Sequence, residues 1–337
     1  MSATTGTGVT EAAAPASAPA PGAEPLPVQH GGGLRAPQTP QPTPDPSDQP
    51  GMPFEHKPSL WQSFVGFPLS LKLALVIIAV LVLVGVAAPW LAPYDPLEVD
   101  VTQKLQGWSR AHWLGTDYLG RDMLSRLLYG TRISVGVTAL VLALVFLAGL
   151  VIGGVAGFFG GKVDSLIMRT CDIFMTIPST VLAVFFVGVL GVGMVNVVAA
   201  LVLSSWPWYA RIVRSVVLSV RERDYVLAAR ASGVPPMHVL VKHILPGVYA
   251  QLIVLSTMDI GHTMIHVAGL SFLGLGVAPP TPEWGVMIND ARSYIYNQPM
   301  LVVLPGLMLF LTVMAFNRVG DALRDMLDPS LMAGGKK

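Results

Sequence analysis

The sequence predicts an all-α, polytopic membrane protein with six transmembrane helices. Hydrophobic residues make up 53% of the 337 residues and charged residues only 12%, and the mean hydropathy is +0.60. These values lie far outside the range of soluble globular domains. A helix needs about 20 apolar residues to cross a hydrocarbon core about 30 Å thick, and several uncharged segments of this chain reach that length.

The lengths of the apolar segments set the number of spans. The uncharged stretch 173–210 would reach about 57 Å as one helix, nearly twice the core thickness, so it is predicted to form two spans. Gly191, Val192 and Gly193 supply the turn between them. The six spans are therefore expected at residues 73–92, within 133–161, on the two sides of that turn, at about 246–270 and at about 300–316.

The placement of charge predicts the orientation. With the N-terminus inside, 15 of the 21 Lys and Arg fall in cytoplasmic segments, as the positive-inside rule requires, and both termini are then cytoplasmic. The net charge of +1 excludes a nucleic-acid-binding protein, and the single cysteine, Cys171, excludes an internal disulfide. The first external loop is predicted to be a folded cap because its basic residues are matched by Asp95, Glu98, Asp100, Asp117 and Asp122.

One cytoplasmic segment differs from the rest of the chain. Residues 225–246 read YVLAARASGVPPMHVLVKHILP and combine charged and small residues between two apolar spans. The run from residue 221 to Ala231 is helix-forming, Gly233 stands where a left-handed C-terminal cap is expected, and Pro235 and Pro236 open a second short helix. The segment is thus predicted to be a helix-turn-helix on the membrane surface, kept out of lipid by Arg221, Arg223, Arg230 and Lys242.

This segment also carries a family signature. The spacing of its small residues resembles the EAA loop of ABC importer permeases, although Leu227 stands where a Glu is usual and His243 where an Ile is usual. Three longer sequence segments resemble the dipeptide, oligopeptide and nickel class of these permeases: HWLGTDYLGRDMLSRLLYGTRIS, SFLGLGVAPPTPEWGVM and NRVGDALRDMLDP. The resemblance runs from about residue 72 to 330 and implies the type I ABC importer permease fold.

The resemblance also implies a role and a set of partners. The chain would be a permease subunit in the bacterial inner membrane that forms half of a pore for dipeptides or oligopeptides. Its partners would be a second permease, two ATPase subunits and an extracytoplasmic binding protein. The alternatives are a permease for nickel or another non-peptide solute, and a secondary proton-driven carrier. The expected ATPase-coupling site comprises Arg221, Arg223, Leu227, Ala228, Ala229, Arg230, Gly233, Leu245 and Pro246.

The sequence does not predict an ATPase. The nearest candidate for a nucleotide-binding loop, GFFGGKV at residues 157–163, lacks the first Gly at the required spacing and has Val163 in place of Ser or Thr. We therefore expect no catalytic residue, metal ligand or cofactor in this chain, with ATP and Mg²⁺ bound by the partner ATPase subunits.

Four regions are expected along the chain. Residues 1–58 are too rich in Pro and Ala to form a core, which predicts a disordered cytoplasmic tail. Residues 59–130 hold the first transmembrane helix and the external loop, and residues 131–321 correspond to the ABC type-1 transmembrane domain, with five helices and the coupling loop 211–244. Residues 322–337 form a cytoplasmic C-terminal tail.

Three ionisable residues interrupt the fifth span. Asp259, His262 and His266 share one face of an otherwise apolar helix, and such groups are expected to face a pore or a partner helix. Three interpretations are open: hydrogen bonding to the partner permease with Asp259 orienting a His, a polar stripe for a charged substrate, and a relay for metal cations.

Small residues and proline predict features of the inner spans. Gly153, Gly157 and Gly161 recur every four residues, which favours close helix packing, expected at the pseudo-symmetric interface with the second permease. Pro178 predicts a kink in the third span. On the outer side, the GTDYLGRD segment is interpreted either as a cap for the start of the next helix or as a contact for the binding protein. The loop 275–297 is the other candidate docking surface.

Overall fold

The computed structural model describes residues 67–327, which are predominantly helical, with one isolated β-bridge between Thr116 and Asp122. The tail predicted for residues 1–58 and the last ten residues lie outside the described residues. The helices are α1 Leu69–Leu91, α2 Met123–Phe159, α3 Gly161–Met175, α4 Ser179–Leu190, α5 Met194–Arg221, α6 Asp224–Ala231, α7 Pro236–Val239, α8 Leu245–Phe272, α9 Trp284–Ala291 and α10 Met300–Leu327.

The predicted count of six spans is not confirmed. Within the described residues, four helices are long and apolar enough to cross a membrane: α1, α2, α10 and the Gln251–Phe272 part of α8. The pair α3 and α4 becomes a fifth span if the two are taken together, and α5 is not among them. Ser204, Ser205 and Arg211 lower the hydropathy of α5, although this helix is 28 residues long.

The third predicted span is a broken helix. The axes of α3 and α4 meet at 88°, and Pro178 lies at the N-cap of α4. Proline disfavours helical conformation in the residue before it, which explains why the chain breaks here and does not merely kink. The turn predicted between the third and fourth spans is confirmed, since α4 ends before Gly191 and α5 begins after Gly193, both with positive φ.

Close packing of small residues joins α2 to α5. A Cβ added at Gly153 would lie 2.2 Å from the carbonyl oxygen of Ala210, and one at Gly157 would lie 2.9 Å from the Cβ of Val217. These glycines therefore pack against α5 of the same chain, and the interface predicted with the second permease is wrong for them. Gly161 has no neighbour within 4 Å of such a Cβ, so it does not belong to this contact.

The external loop and α9 form a folded cap that confirms one predicted interpretation. Asp122 N-caps α2 by accepting a hydrogen bond from the backbone of Ser125 at 2.8 Å, and it also accepts one from the His112 ring at 2.9 Å. Trp284, predicted to lie in an outer docking loop, is completely buried and packs in the core with Met123 and Met287.

Buried ion pairs connect the external loop to α9. The Arg121 Nε donates to the Asp117 carboxylate at 2.6 Å, and its Nη2 lies 3.5 Å from the Asp290 carboxylate. Arg126 lies 3.5 Å from the same Asp117 oxygen and, like Arg121, is only 1% exposed. Burial and the nearby Asp290 carboxylate raise the pKa of Tyr118, whose ring lies under the Arg121 guanidinium. The cap is thus a rigid, internally neutralised structure.

Candidate functional site

Residues 224–244, here called the cytoplasmic module, form the segment that the sequence predicts to contact a soluble partner. The predicted first helix is shorter than expected, because Arg221 ends α5 and Arg223 is the N-cap of α6. Gly233 has φ +76°, a conformation that costs glycine little, and its N–H donates to the carbonyl of Arg230 at 3.0 Å. The left-handed cap after α6 is therefore confirmed.

One face of the cytoplasmic module anchors it to the core. Val226, Val239 and Ile244 are completely buried, and Ala229 packs against the same cluster. The opposite face is apolar but open, and Ala228 is exposed there. Its large side chains are about half exposed: Tyr225 53%, Leu227 49%, Met237 59% and Val241 53%. An exposed apolar face on an otherwise anchored element is typical of an interaction surface.

Two of the predicted coupling arginines contact α2 rather than only the aqueous phase. The Arg221 guanidinium donates to the carbonyl of Gly157 at 3.1 Å, and the Arg230 guanidinium lies 5.9 Å from the ring centre of Phe158. Both residues therefore hold the cytoplasmic module against the C-terminal end of α2. Arg223 is exposed at the N-cap of α6.

Two further arginines fall within the predicted coupling loop 211–244, but the structure places them in α5, and their ion pairs were not predicted. Arg214 forms a bidentate ion pair with Asp164, in which the Nη2–Oδ2 distance is 2.6 Å. Arg211 forms an ion pair with Asp172. These pairs tie α5 to α3 at the end of the molecule that the positive-inside rule predicts to be cytoplasmic. The partners are separated by 50 and 39 residues, so spacing along the chain could not reveal them.

The cytoplasmic module continues into a membrane helix without a loop. After α7 the chain forms a π-helical turn over Leu240–Ile244 and enters α8 at Leu245, with Pro246 in the first turn, where its missing N–H is not needed. The Tyr225 hydroxyl donates to the carbonyl of His243 at 3.3 Å, which links α6 to this turn. The module and α8 are therefore joined by a continuous helical backbone.

The three ionisable residues of α8 line one cleft. Its volume is about 570 Å³, and it lies between α5, α8 and the break that separates α3 from α4. His262 and His266 have ring centres 6.4 Å apart. The other lining residues are Phe174, Met175, Ile177, Pro178, Ser179, Ser204, Ser205, Trp208, Tyr209, Leu255, Met258, Asp259 and Thr263.

Within this chain, Asp259 has a hydrogen-bond partner that was not predicted from the sequence. Its carboxylate accepts a hydrogen bond from the Tyr209 hydroxyl on α5 at 2.9 Å, and the hydrogen bonding to a partner permease, with Asp259 orienting a His, stays a prediction. Tyr209 comes from the predicted fourth span and is almost entirely buried. Between residues 67 and 327, no three His, Cys, Asp or Glu side chains lie close enough together to hold a metal ion.

Two family descriptions match separate parts of the chain. Residues 149–333 match the family "Binding-protein-dependent transport system inner membrane component". Residues 72–107 match the family "N-terminal TM domain of oligopeptide transport permease C". Together the two matches include α1 and most of the helices that form the cleft and the cytoplasmic module.

Several curated proteins are similar over most of their length. The nickel transport system permease protein NikC of Escherichia coli K12 is 56% identical over 263 residues, which cover 78% of this chain and 95% of NikC. The glutathione transport system permease protein GsiD of Pectobacterium atrosepticum is 44% identical, covering 75% and 85%. The di/tripeptide transport system permease protein DppC of Pseudomonas aeruginosa is 42% identical, covering 80% and 91%.

The two family matches and these relatives agree with the EAA-loop resemblance. This chain belongs to the inner-membrane permeases of binding-protein-dependent ABC importers.

Proposed function

We propose that this chain forms half of the translocation pore of an ATP-driven importer and receives motion from separate ATPase subunits through its cytoplasmic module. The observation that carries the proposal is the unbroken path from the exposed face of the module, through the turn Leu240–Ile244, into α8, which carries the polar side chains of the cleft. Closure of an ATPase pair on that face would tilt α8 and switch the opening of the pore.

The proposal requires other subunits. A second permease completes the pore, two ATPase subunits bind ATP and Mg²⁺, and an extracytoplasmic binding protein delivers the cargo. Both termini lie in the cytoplasm in this arrangement, which the distribution of Lys and Arg supports. Membership of the ABC importer family argues against the proton-driven carrier considered from the sequence.

The proposed coupling site includes Gly233, whose left-handed backbone conformation sets the turn between α6 and α7. Gly233→Val places a β-branched residue at φ +76°, which strains the turn between α6 and α7, so ATP hydrolysis should no longer drive uptake. ATPase activity and uptake are measured together in proteoliposomes that contain the whole complex. We expect uptake to fall by about tenfold or more, while the variant still assembles with its partners.

Gly233→Asn is the matched control, because asparagine tolerates the left-handed conformation better than other residues with a side chain. It should keep most of the uptake. Equal uptake by the valine variant and the wild type would show that the turn does not transmit motion.

Nickel is the cargo that the observations favour. The protein of 56% identity is named as a nickel transport permease, whereas the glutathione and di/tripeptide permeases are 44% and 42% identical. The cleft also presents His262 and His266, and imidazole is a good ligand for nickel.

Dipeptides or oligopeptides are the second candidate. Three segments of the sequence resemble the class that contains the peptide permeases as well as the nickel permeases, and a cleft of about 570 Å³ has a volume typical of small-molecule sites. Uptake of radioactive nickel and of a labelled dipeptide by the reconstituted complex, each with ATP and the binding protein, separates the two. Nickel uptake without dipeptide uptake is the expected result, and the reverse would overturn the nickel proposal.

A further inference from the structure

The side chains of His262 and His266 lie where a pore would be deepest. His262 is close to the midpoint of the membrane-crossing segment Gln251–Phe272, and its side chain is exposed in the isolated chain. Exposing an imidazole ring to lipid at that depth costs free energy, so the ring is expected to face protein or a water-filled cavity. Both histidines line the 570 Å³ cleft, so they face such a cavity.

We infer that His262 and His266 form a transit site for a divalent transition-metal ion inside the pore. This inference rests on the proposed role of the chain as half of a pore. The two residues are four apart on one helix, a spacing that places two imidazoles on the same side and is used by helical metal-binding pairs. Their ring centres are 6.4 Å apart, so modest side-chain rotation brings one nitrogen of each to a shared ion.

The other groups around the pair define which ion it takes. The Asp259 carboxylate accepts a hydrogen bond from the Tyr209 hydroxyl at 2.9 Å, and no three His, Cys, Asp or Glu of the described residues are grouped closely enough to hold an ion, so the two imidazoles are the ligands that we assign. Imidazole suits Ni²⁺, Co²⁺, Cu²⁺ and Zn²⁺, whereas Mg²⁺ and Ca²⁺ prefer oxygen ligands. The pair therefore selects ions of the transition-metal class.

The ends of the broken helix do not change this conclusion. Phe174 and Met175 bring the C-terminal end of α3 to the cleft, and Ser179 brings the N-terminal end of α4. The partial charges at these ends have opposite signs, so their effects on a bound ion oppose each other. Side chains, rather than helix dipoles, then decide the charge and type of ion.

Two ligands from this chain produce weak binding, which suits a transit site. No group of three His, Cys, Asp or Glu in the part of the chain that the structure describes could hold an ion by itself. Water or the second permease would complete the coordination. An ion that passes through a pore must bind well enough to enter and weakly enough to leave.

The test measures metal binding apart from transport. The permease pair with its ATPases is purified without a histidine tag, reconstituted in lipid nanodiscs and titrated with Co²⁺, whose visible absorption reports imidazole coordination. We expect His262→Gln and His266→Gln each to weaken Co²⁺ binding by about tenfold or more. Unchanged binding in both variants, or the absence of a cobalt spectrum in the wild type, overturns the inference.

A second histidine pair supplies the matched control. His238 and His243 have ring centres 6.5 Å apart, nearly the same separation, but lie in the cytoplasmic module outside the cleft. His238→Gln with His243→Gln should leave the cobalt spectrum unchanged, and loss of the spectrum in this variant would place the site there instead. Of the two pore variants, His262→Gln is less prone to destabilise the protein, because the exposed His262 side chain does not pack in a core.

The outcomes separate this inference from the proposed cargo. If the complex imports no nickel but the cobalt spectrum still depends on His262 and His266, the nickel proposal fails and the site stands. If nickel uptake proceeds equally in the wild type and in both variants, the transit site fails and the nickel proposal stands.

Discussion

The two ends of the molecule differ in how their charged and apolar side chains are arranged. On the outer side, Asp117, Arg121, Arg126 and Asp290 are buried and paired with one another. On the cytoplasmic side, the module is anchored by one face and leaves an apolar face open. The buried charges of the cap are therefore paired within this chain, although Trp108 and Trp113 of its loop are 70% exposed, whereas the cytoplasmic module leaves open the apolar face on which we propose that a partner docks.

One helix connects these two regions. α2 begins at the Asp122 cap on the outer side and runs for 37 residues to Phe159, where Gly157 contacts Arg221 at the end of α5 and Phe158 contacts Arg230 of the module. The outer end is thus held together by buried ion pairs within the chain, whereas the open face at the inner end is the proposed contact for the ATPase subunits. Substitutions in the cap should reduce stability, and substitutions on the open face should reduce assembly.

The largest effect is expected for Arg121→Met. This change leaves the buried Asp117 and Asp290 carboxylates without their closest cation, which costs about 3–5 kcal/mol. Thermal unfolding of the complex in nanodiscs measures the loss. Arg110→Met, at an exposed position of the same loop, is the control and should change stability by about 0.5 kcal/mol or less. Equal losses for the two variants would contradict the view of the cap as a buried network.

An intermediate effect is expected for Gly153→Ala, in the contact that joins the two regions. The new methyl would lie 2.2 Å from the Ala210 carbonyl oxygen, so α2 and α5 must separate, at a cost of about 1–3 kcal/mol. The adjacent Gly154 has nothing within 4 Å of its added Cβ, and Gly154→Ala should be neutral or slightly stabilising. The same unfolding measurement compares them, and a similar loss in both would refute the close approach.

The smallest effect on stability is expected for Leu227→Ser. This residue is 49% exposed on the open face, so unfolding should shift by about 0.5 kcal/mol or less. Its affinity for the ATPase subunits should nevertheless fall by about fivefold or more, as measured by pull-down titration. Val101→Ser, at an exposed position in the cap, should change neither quantity. Wild-type ATPase affinity for Leu227→Ser would remove the distinction between the two regions.

Features that depend on local conformation were predicted correctly from the sequence. The turn at Gly191 and Gly193, the left-handed cap at Gly233 and the N-cap at Asp122 all follow from neighbouring residues. Each requires only a short-range rule about glycine, proline or a capping carboxylate. Such rules hold whatever the rest of the chain does.

Features that depend on distant partners could not be predicted in the same way. The glycine spacing indicates that a helix approaches α2, but it does not say which one, and α5 rather than the second permease occupies that face. The hydrogen bond from Tyr209 to Asp259 joins residues 50 apart on different helices. The 88° break before α4 is larger than the kink predicted at Pro178, because hydropathy responds to composition and not to the direction of the helix axis.

The direct junction between the cytoplasmic module and α8 has a mechanical consequence. At 1.5 Å per residue, His262 lies about 26 Å along the helix from Leu245, so a tilt of only about 10° at Leu245 displaces it by about 4–5 Å. A bond between a metal ion and an imidazole nitrogen is about 2 Å long. Because both imidazoles lie on α8, a small tilt at the membrane surface would carry the whole proposed ion site at mid-depth by more than twice the length of such a bond.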